Sequence, residues 1–208
     1  LITCELEYKT YSKLGEGAFW NYKTQELYWI DIENKKLHIY KPKTKINKSL
    51  ETSSRIGTVV PIDNESAIIA LENGIYIIDT NSGKTILFSE IENTITTNRF
   101  NDGKYDPLGN LWVSSMSLKN KKHQAYLYKV NKNGKAHKML YNITTSNGIV
   151  WTKNKTTMYY IDTPTNKMIA YSYNIENATI SNKRIAVEIP KKLGFPDGMQ
   201  LMKITHFG

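Results

Sequence analysis

Residues 16–40 read EGAFWNYKTQELYWIDIENKKLHIY, and residues 147–171 read NGIVWTKNKTTMYYIDTPTNKMIAY. Laid over each other without a gap, at an offset of 131 residues, they agree at seven of 25 positions. The pairs are Gly17 with Gly148, Trp20 with Trp151, Tyr28 with Tyr159, Ile30 with Ile161, Asp31 with Asp162, Lys36 with Lys167 and Tyr40 with Tyr171. Average residue usage gives about one or two matches by chance. The agreement also has structural order: a Gly, then a Trp, then an apolar run that ends in Asp.

An offset of 131 is three times about 44, and one propeller blade takes roughly 40–50 residues. Intermediate copies fit that period. Asp102-Gly103 precedes an apolar run at residues 111–113, and Asp197-Gly198 follows Asn147-Gly148 by 50 residues. A copy near residues 57–62 is weak and lacks the polar-Gly pair. Between these marks the chain alternates short runs rich in Tyr, Ile, Val and Trp with turn signals such as Asn73-Gly74, Asn81-Ser82-Gly83 and Asn133-Gly134. Short antiparallel strands joined by hairpins follow from this pattern, in a sandwich, a barrel or a propeller. The repeat selects an all-β propeller of four-stranded blades, with the first three strands of each blade visible and the fourth poorly marked.

Composition agrees with a folded domain. The 208 residues are 40% hydrophobic and 23% charged, so wholesale disorder is not expected. No apolar run approaches the roughly 20 residues that a membrane-spanning helix needs. The single cysteine, Cys4, excludes an internal disulfide framework and a multi-cysteine zinc site. It sits in a strand-like terminal segment where inert packing is expected. The net charge of +9 raises nucleic acid or an anionic surface as a partner. The lysines, however, fall in short turn-like groups (Lys41, Lys43, Lys45, Lys48; Lys119, Lys121, Lys122; Lys132, Lys135, Lys138), which reads as solvated loops. No nucleic-acid or membrane partner is expected, and with no signal-peptide pattern visible a cytoplasmic location is.

In a propeller the first strand of each blade lines the central channel. The residue before each recurring Gly is Glu16, Asp102, Asn147 or Asp197. All four carry side-chain oxygens, which suit hard cations such as calcium, magnesium or manganese. The same dipeptides are also the commonest turn formers, so the repeat leaves both readings open. His38, His123, His137 and His206 show no ligand spacing and are expected at the surface or in turns. Ser146 lacks the frame of a nucleophile elbow, and no phosphate loop or dinucleotide fingerprint occurs.

Four ordered motifs carry a resemblance. Residues 14–20 (LGEGAFW), 98–109 (NRFNDGKYDPLG), 146–151 (SNGIVW, followed by Tyr159-Tyr160-Ile161-Asp162) and 195–199 (FPDGM) resemble the regucalcin (senescence marker protein)/gluconolactonase/luciferin-regenerating-enzyme family. The resemblance implies a six-bladed β-propeller with one divalent metal in its channel, calcium first, with zinc, magnesium or manganese as alternatives. It implies Glu16, Asn147 and Asp197 as metal ligands, Asp197 also as the catalytic base, Arg99 and Asn101 as substrate-binding residues, and Asp102 as a supporting site residue. The implied activity is hydrolysis of a lactone, a sugar-acid lactone such as gluconolactone by default, with that small molecule as partner. A non-enzymatic metal-binding propeller and a binder of anionic surfaces are the alternatives.

Two departures stand out: Ala18 replaces a Pro, and Ser117-Leu118 follow Met116 where the family often carries an acid. The repeat accounts for four to five blades. A single propeller domain over 1–208 with its C-terminal part missing or interrupted is therefore expected, with a break near residues 199–201 and the stretch 204–208 read as entry to a last blade.

Overall fold

The computed structural model describes residues 3–201. Two units are present, Leu1–Thr94 and Ile95–Gly208. The first holds two sheets: β1 (Gly15–Asn21), β2 (Glu26–Asp31), β3 (Lys36–Lys41) and β4 (Ile46–Glu51); then β5 (Ile56–Pro61), β6 (Ser66–Leu71), β7 (Gly74–Asp79) and β8 (Thr85–Ser89). The second holds β9 (Asn98–Tyr105), β10 (Leu111–Ser117), β11 (Ala125–Val130) and β12 (Ala136–Ile143), then β13 (Ser146–Trp151), β14 (Thr157–Asp162), β15 (Lys167–Asn174) and β16 (Thr179–Glu188). Every sheet is a four-stranded meander in sequence order, with antiparallel neighbours throughout. The fold class is therefore that of the all-β propeller, with four blades present among the described residues. Among the described residues no helix is long and apolar enough to cross a membrane.

The sequence repeat is a repeat of register. Glu16 pairs with Ile30, Trp20 with Leu27 and Leu27 with Tyr40 in blade 1. In blade 4 Asn147 pairs with Ile161, Trp151 with Met158 and Met158 with Tyr171, each shifted by the same offset. The repeated Asp closes both of these blades. Asp31 accepts the backbone N–H groups of Lys13 (3.0 Å) and Leu14 (3.1 Å), which lead into β1. Asp162 accepts those of Thr144 (3.2 Å) and Thr145 (2.8 Å), which lead into β13. A carboxylate at the end of the second strand thus satisfies donors that no ladder reaches.

Each unit has its own core. In the first, Tyr28, Ile30, Leu37, Ile56, Ile69 and Leu71 are at most 1% exposed. In the second, Trp112, Leu127, Ile149, Met158 and Tyr160 are equally buried. Burial of one such aliphatic side chain favours folding by about 1.5–3 kcal/mol. First strands of successive blades lie side by side within each unit, β1 with β5 and β9 with β13. Fourth strands lie at the opposite sheet edges and are largely exposed: β16 (TISNKRIAVE) has no buried residue. An edge strand that faces water needs no apolar alternation, so its sequence carries no strand signal.

Several expectations are corrected. His38 is buried, because its ring stacks on Trp29 at 4.7 Å. Cys4 is exposed rather than packed. Residues 3–8 form no strand; Tyr8 lies against Tyr40 and Glu7 accepts the Tyr40 hydroxyl at 2.8 Å. Residues around Asp197 form no strand either, and enter as an irregular segment after a 3₁₀ turn at Lys191–Leu193. His206 and the stretch 204–208 lie outside the described residues.

Candidate functional site

Each first strand carries a β-bulge near its start. The register shifts between Glu16 and Phe19, between Ile56 and Thr58, between Phe100 and Gly103, and between Asn147 and Ile149. A bulge bends the strand and re-aims the side chains beside it. Three of the four residues singled out by the repeat sit at these bulges: Glu16 in blade 1, Asp102 in blade 3 and Asn147 in blade 4. Blade 2 has Ile56 there, fully buried, which is why its copy lacks a polar-Gly pair. Glu16 is an exposed side chain of the first unit.

In the second unit, residues from three separate motifs meet through side-chain hydrogen bonds. Arg99 Nη1 donates to the Phe100 carbonyl (2.9 Å) and to Asn101 Oδ1 (2.8 Å). Asn101 Nδ2 donates to the Ser146 carbonyl (2.8 Å) and to Asn147 Oδ1 (3.0 Å). Asn147 Nδ2 donates to Thr163 Oγ1 (2.7 Å), and Thr163 Oγ1 donates to the Pro196 carbonyl (2.9 Å). That last bond holds the peptide joining Pro196 to Asp197. The segment is pressed onto β13: a methyl group built on Gly148 would stand 2.8 Å from the Asp197 carbonyl oxygen and 2.8 Å from Met199 Cγ. Lys104 Nζ fixes the far side by donating to the Met199 carbonyl (3.0 Å) and Gln200 Oε1 (3.1 Å).

Charge is concentrated at the same place. Burial pushes the Asp102 carboxyl above the usual carboxylate range; the Gly103 N–H and Lys104 pull it down, and the charge of Asp197 pushes it up again. Burial also pushes the Lys104 ammonium down, against the pull of Asp102. Arg99, Asn101, Asp102, Asn147 and the Asp197 segment are thus brought together. Gly148, marked by the repeat, completes the assembly with Thr163 and Lys104, which were not singled out by the sequence.

The donor set fits a hard cation. Asn147 Oδ1 accepts the hydrogen bond from Asn101 Nδ2, and an amide oxygen has two lone pairs. Asp102 and Asp197 add carboxylates close enough for one to shift the other. Among the described residues no three His, Cys, Asp or Glu side chains form a metal-holding group. A cation would therefore depend on the Asn147 amide oxygen.

The family model described as "SMP-30/Gluconolactonase/LRE-like region" matches residues 14–203. The "Putative sugar lactone lactonase YvrE" of Bacillus subtilis (strain 168) is 33% identical over 196 residues, which cover 94% of this chain and 67% of that protein. Among solved structures, a luciferin-regenerating enzyme superposes with a TM-score of 0.85 at 30% identity, over 92% of this chain and 66% of that one. A calcium-binding regucalcin from Agrobacterium tumefaciens superposes with a TM-score of 0.88 at 24% identity, over 92% of this chain and 65% of that one. The chain spans about two thirds of the length of each.

Proposed function

The chain belongs to the SMP-30/Gluconolactonase/LRE-like family, and from that premise we propose that it hydrolyses a lactone, a sugar-acid lactone such as gluconolactone by default, at a divalent-metal site. The observation that carries this reading is the hydrogen-bonded line Arg99–Asn101–Asn147–Thr163–Pro196, which joins three of the four motifs, those of the second unit. The similarity to a relative named a sugar lactone lactonase supports the reaction class. The similarity to a calcium-binding regucalcin supports calcium as the first choice of metal.

Asn147 and Asp197 are the proposed ligands in the second unit. Glu16 is proposed as the third on the ground of the repeat, with residues 1–208 taken as one propeller domain. A bound divalent cation supplies Lewis-acid polarisation of the lactone carbonyl and stabilises its developing negative charge. The protein's own work is positioning and proton transfer. Asp197, exposed to solvent, takes a proton from the attacking water, whose oxygen bonds to the carbonyl carbon. The ring C–O bond breaks, and the proton goes to the leaving oxygen. Arg99 holds substrate oxygens through its guanidinium. Both Asn101 Nδ2 protons are committed, to Ser146 and Asn147, so Asn101 meets substrate through its carbonyl oxygen.

Asp197→Ala is expected to abolish turnover, since a general base alone contributes about 10²–10⁴-fold. A panel of lactones assayed with and without chelator tests the reading; an Asp197→Ala rate equal to wild type overturns it. Ser117-Leu118 in place of an acid favours, as second reading, a metal-binding propeller without turnover. Cation binding with no lactone hydrolysed would select that one.

A further inference from the structure

We infer that Thr163 is a positioning residue: its single hydroxyl proton decides which end of the Asn147 side chain faces a bound cation, and the same hydroxyl anchors the peptide that carries Asp197. This rests on the metal reading above. It follows from counting protons along a line of hydrogen bonds whose two ends each have a fixed polarity.

At one end, a guanidinium only donates. Arg99 Nη1 reaches the Asn101 amide at 2.8 Å, so Asn101 must present its oxygen there and its NH₂ on the other side. Those two protons go to the Ser146 carbonyl and to Asn147. At the opposite end, a carbonyl only accepts. Pro196 takes the one proton that Thr163 Oγ1 owns, at 2.9 Å. Thr163 can then only accept from its other neighbour, so Asn147 must present NH₂ to it, at 2.7 Å. Both ends give the same answer: the Asn147 oxygen points back toward Asn101, with a lone pair to spare. A flipped Asn147 would set NH₂ against NH₂ at Asn101 and oxygen against a protonless oxygen at Thr163. Asn147 is nine-tenths buried, so water cannot readily repair that mismatch.

Thr163 therefore couples two proposed ligands 50 residues apart in sequence without touching the cation. Groups that orient a ligand in this way commonly change metal affinity by about 10- to 100-fold when removed. Thr163→Val removes both bonds at nearly constant volume. Thr163→Ser keeps the hydroxyl.

The test is calorimetric titration of calcium and of manganese, separately, into chelator-treated protein, with the thermal midpoint of each variant measured alongside. Thr163→Val is expected to bind about 10- to 100-fold more weakly, and Thr163→Ser to restore wild-type affinity. In an Asn147→Asp background the side chain presents oxygen at both ends, so orientation no longer matters and Thr163→Val is expected to cost less than in the wild type, the remainder being the lost anchor at Pro196. Should Thr163→Val not fold, Thr163→Ala is titrated in the same two backgrounds. Wild-type affinity in Thr163→Val overturns the inference and leaves the metal reading standing. An equal loss in both backgrounds overturns the orienting role. Wild-type protein that takes up neither cation overturns the metal reading and this inference with it.

Discussion

Asp106 offers the sharpest test of what ties blade 3 to blade 4. Its carboxylate is 5% exposed and accepts five hydrogen bonds. Three come from its own turn, the backbone N–H groups of Leu108 (2.9 Å) and Asn110 (2.8 Å) and the Asn110 side chain (2.9 Å). The other two come from Trp112 Nε1 (2.9 Å) and, across the blade boundary, the Tyr173 hydroxyl (2.9 Å). In Asp106→Ala the turn donors can be met by water. Trp112 and Tyr173 cannot turn outward, being 0% and 5% exposed. A buried donor left without an acceptor costs about 1–3 kcal/mol, so the two together cost about 2–6 kcal/mol. Against a typical domain stability of about 5–15 kcal/mol that is a large fraction.

The controls separate the parts of this sum. Asp106→Asn keeps one oxygen for the turn but places an NH₂ against the Trp112 donor, for an expected loss of about 2–3 kcal/mol. Tyr173→Phe removes one bond and strands no donor, for about 1 kcal/mol. The assay is urea unfolding followed by tryptophan emission. Trp112, Trp151 and Tyr173 form an aromatic triad with centroids 5.7, 6.5 and 5.9 Å apart, so loosening the anchor should also shift the native spectrum. Asp106→Ala within about 0.5 kcal/mol of wild type, or Tyr173→Phe as costly as Asp106→Ala, would refute the reasoning.

The two repeated aspartates should respond oppositely to pH. Burial opposes ionisation of Asp31, but the N–H groups of Leu14, Asn34 and Lys13 outweigh it and hold its carboxyl below the usual range; its stabilisation is lost as pH falls through that lowered value. Burial holds Asp162 above the usual range, so its contribution is present at low pH and lost as pH rises through the raised value. Asn34 donates to Asp31, whereas the equivalent Thr165 donates to the Asp162 backbone carbonyl instead; Thr165→Asn should lower the Asp162 pKa, read by carboxyl carbon NMR, and an unchanged titration would sink the explanation. Arg55 forks onto Glu33 (2.9 Å) and reaches Glu72 (3.0 Å), linking blade 1 to blade 2 with all three side chains about one-third exposed. Arg55→Lys should cost no more than about 1 kcal/mol and less in high salt, and a salt-independent loss would count against an electrostatic origin. Gly148→Ala should push the Asp197 carbonyl and Met199 away and weaken cation uptake far more than it lowers the thermal midpoint; a loss in stability alone would show the close approach to be mere packing.

What could be read in the chain, and what could not, follows from how often a physical demand recurs. The Asp at the end of the second strand recurs in blades 1 and 4 because Asp31 and Asp162 meet the same need, N–H groups at the entry to the first strand. The fourth strands stayed faint because exposed edges impose no pattern. Thr163 was hidden by the repeat itself. Its equivalent in blade 1 is Ile32, a core residue 1% exposed, so the alignment marks the position as apolar rather than functional. Agreement between copies can mislead as well. Gly17 and Gly148 align, yet Gly17 is needed for its left-handed backbone (φ 61°), while Gly148 is needed for the space that the Asp197 carbonyl occupies. One is a requirement of the strand on its own residue; the other is a requirement of the site on a strand 49 residues away, and only the folded chain distinguishes them.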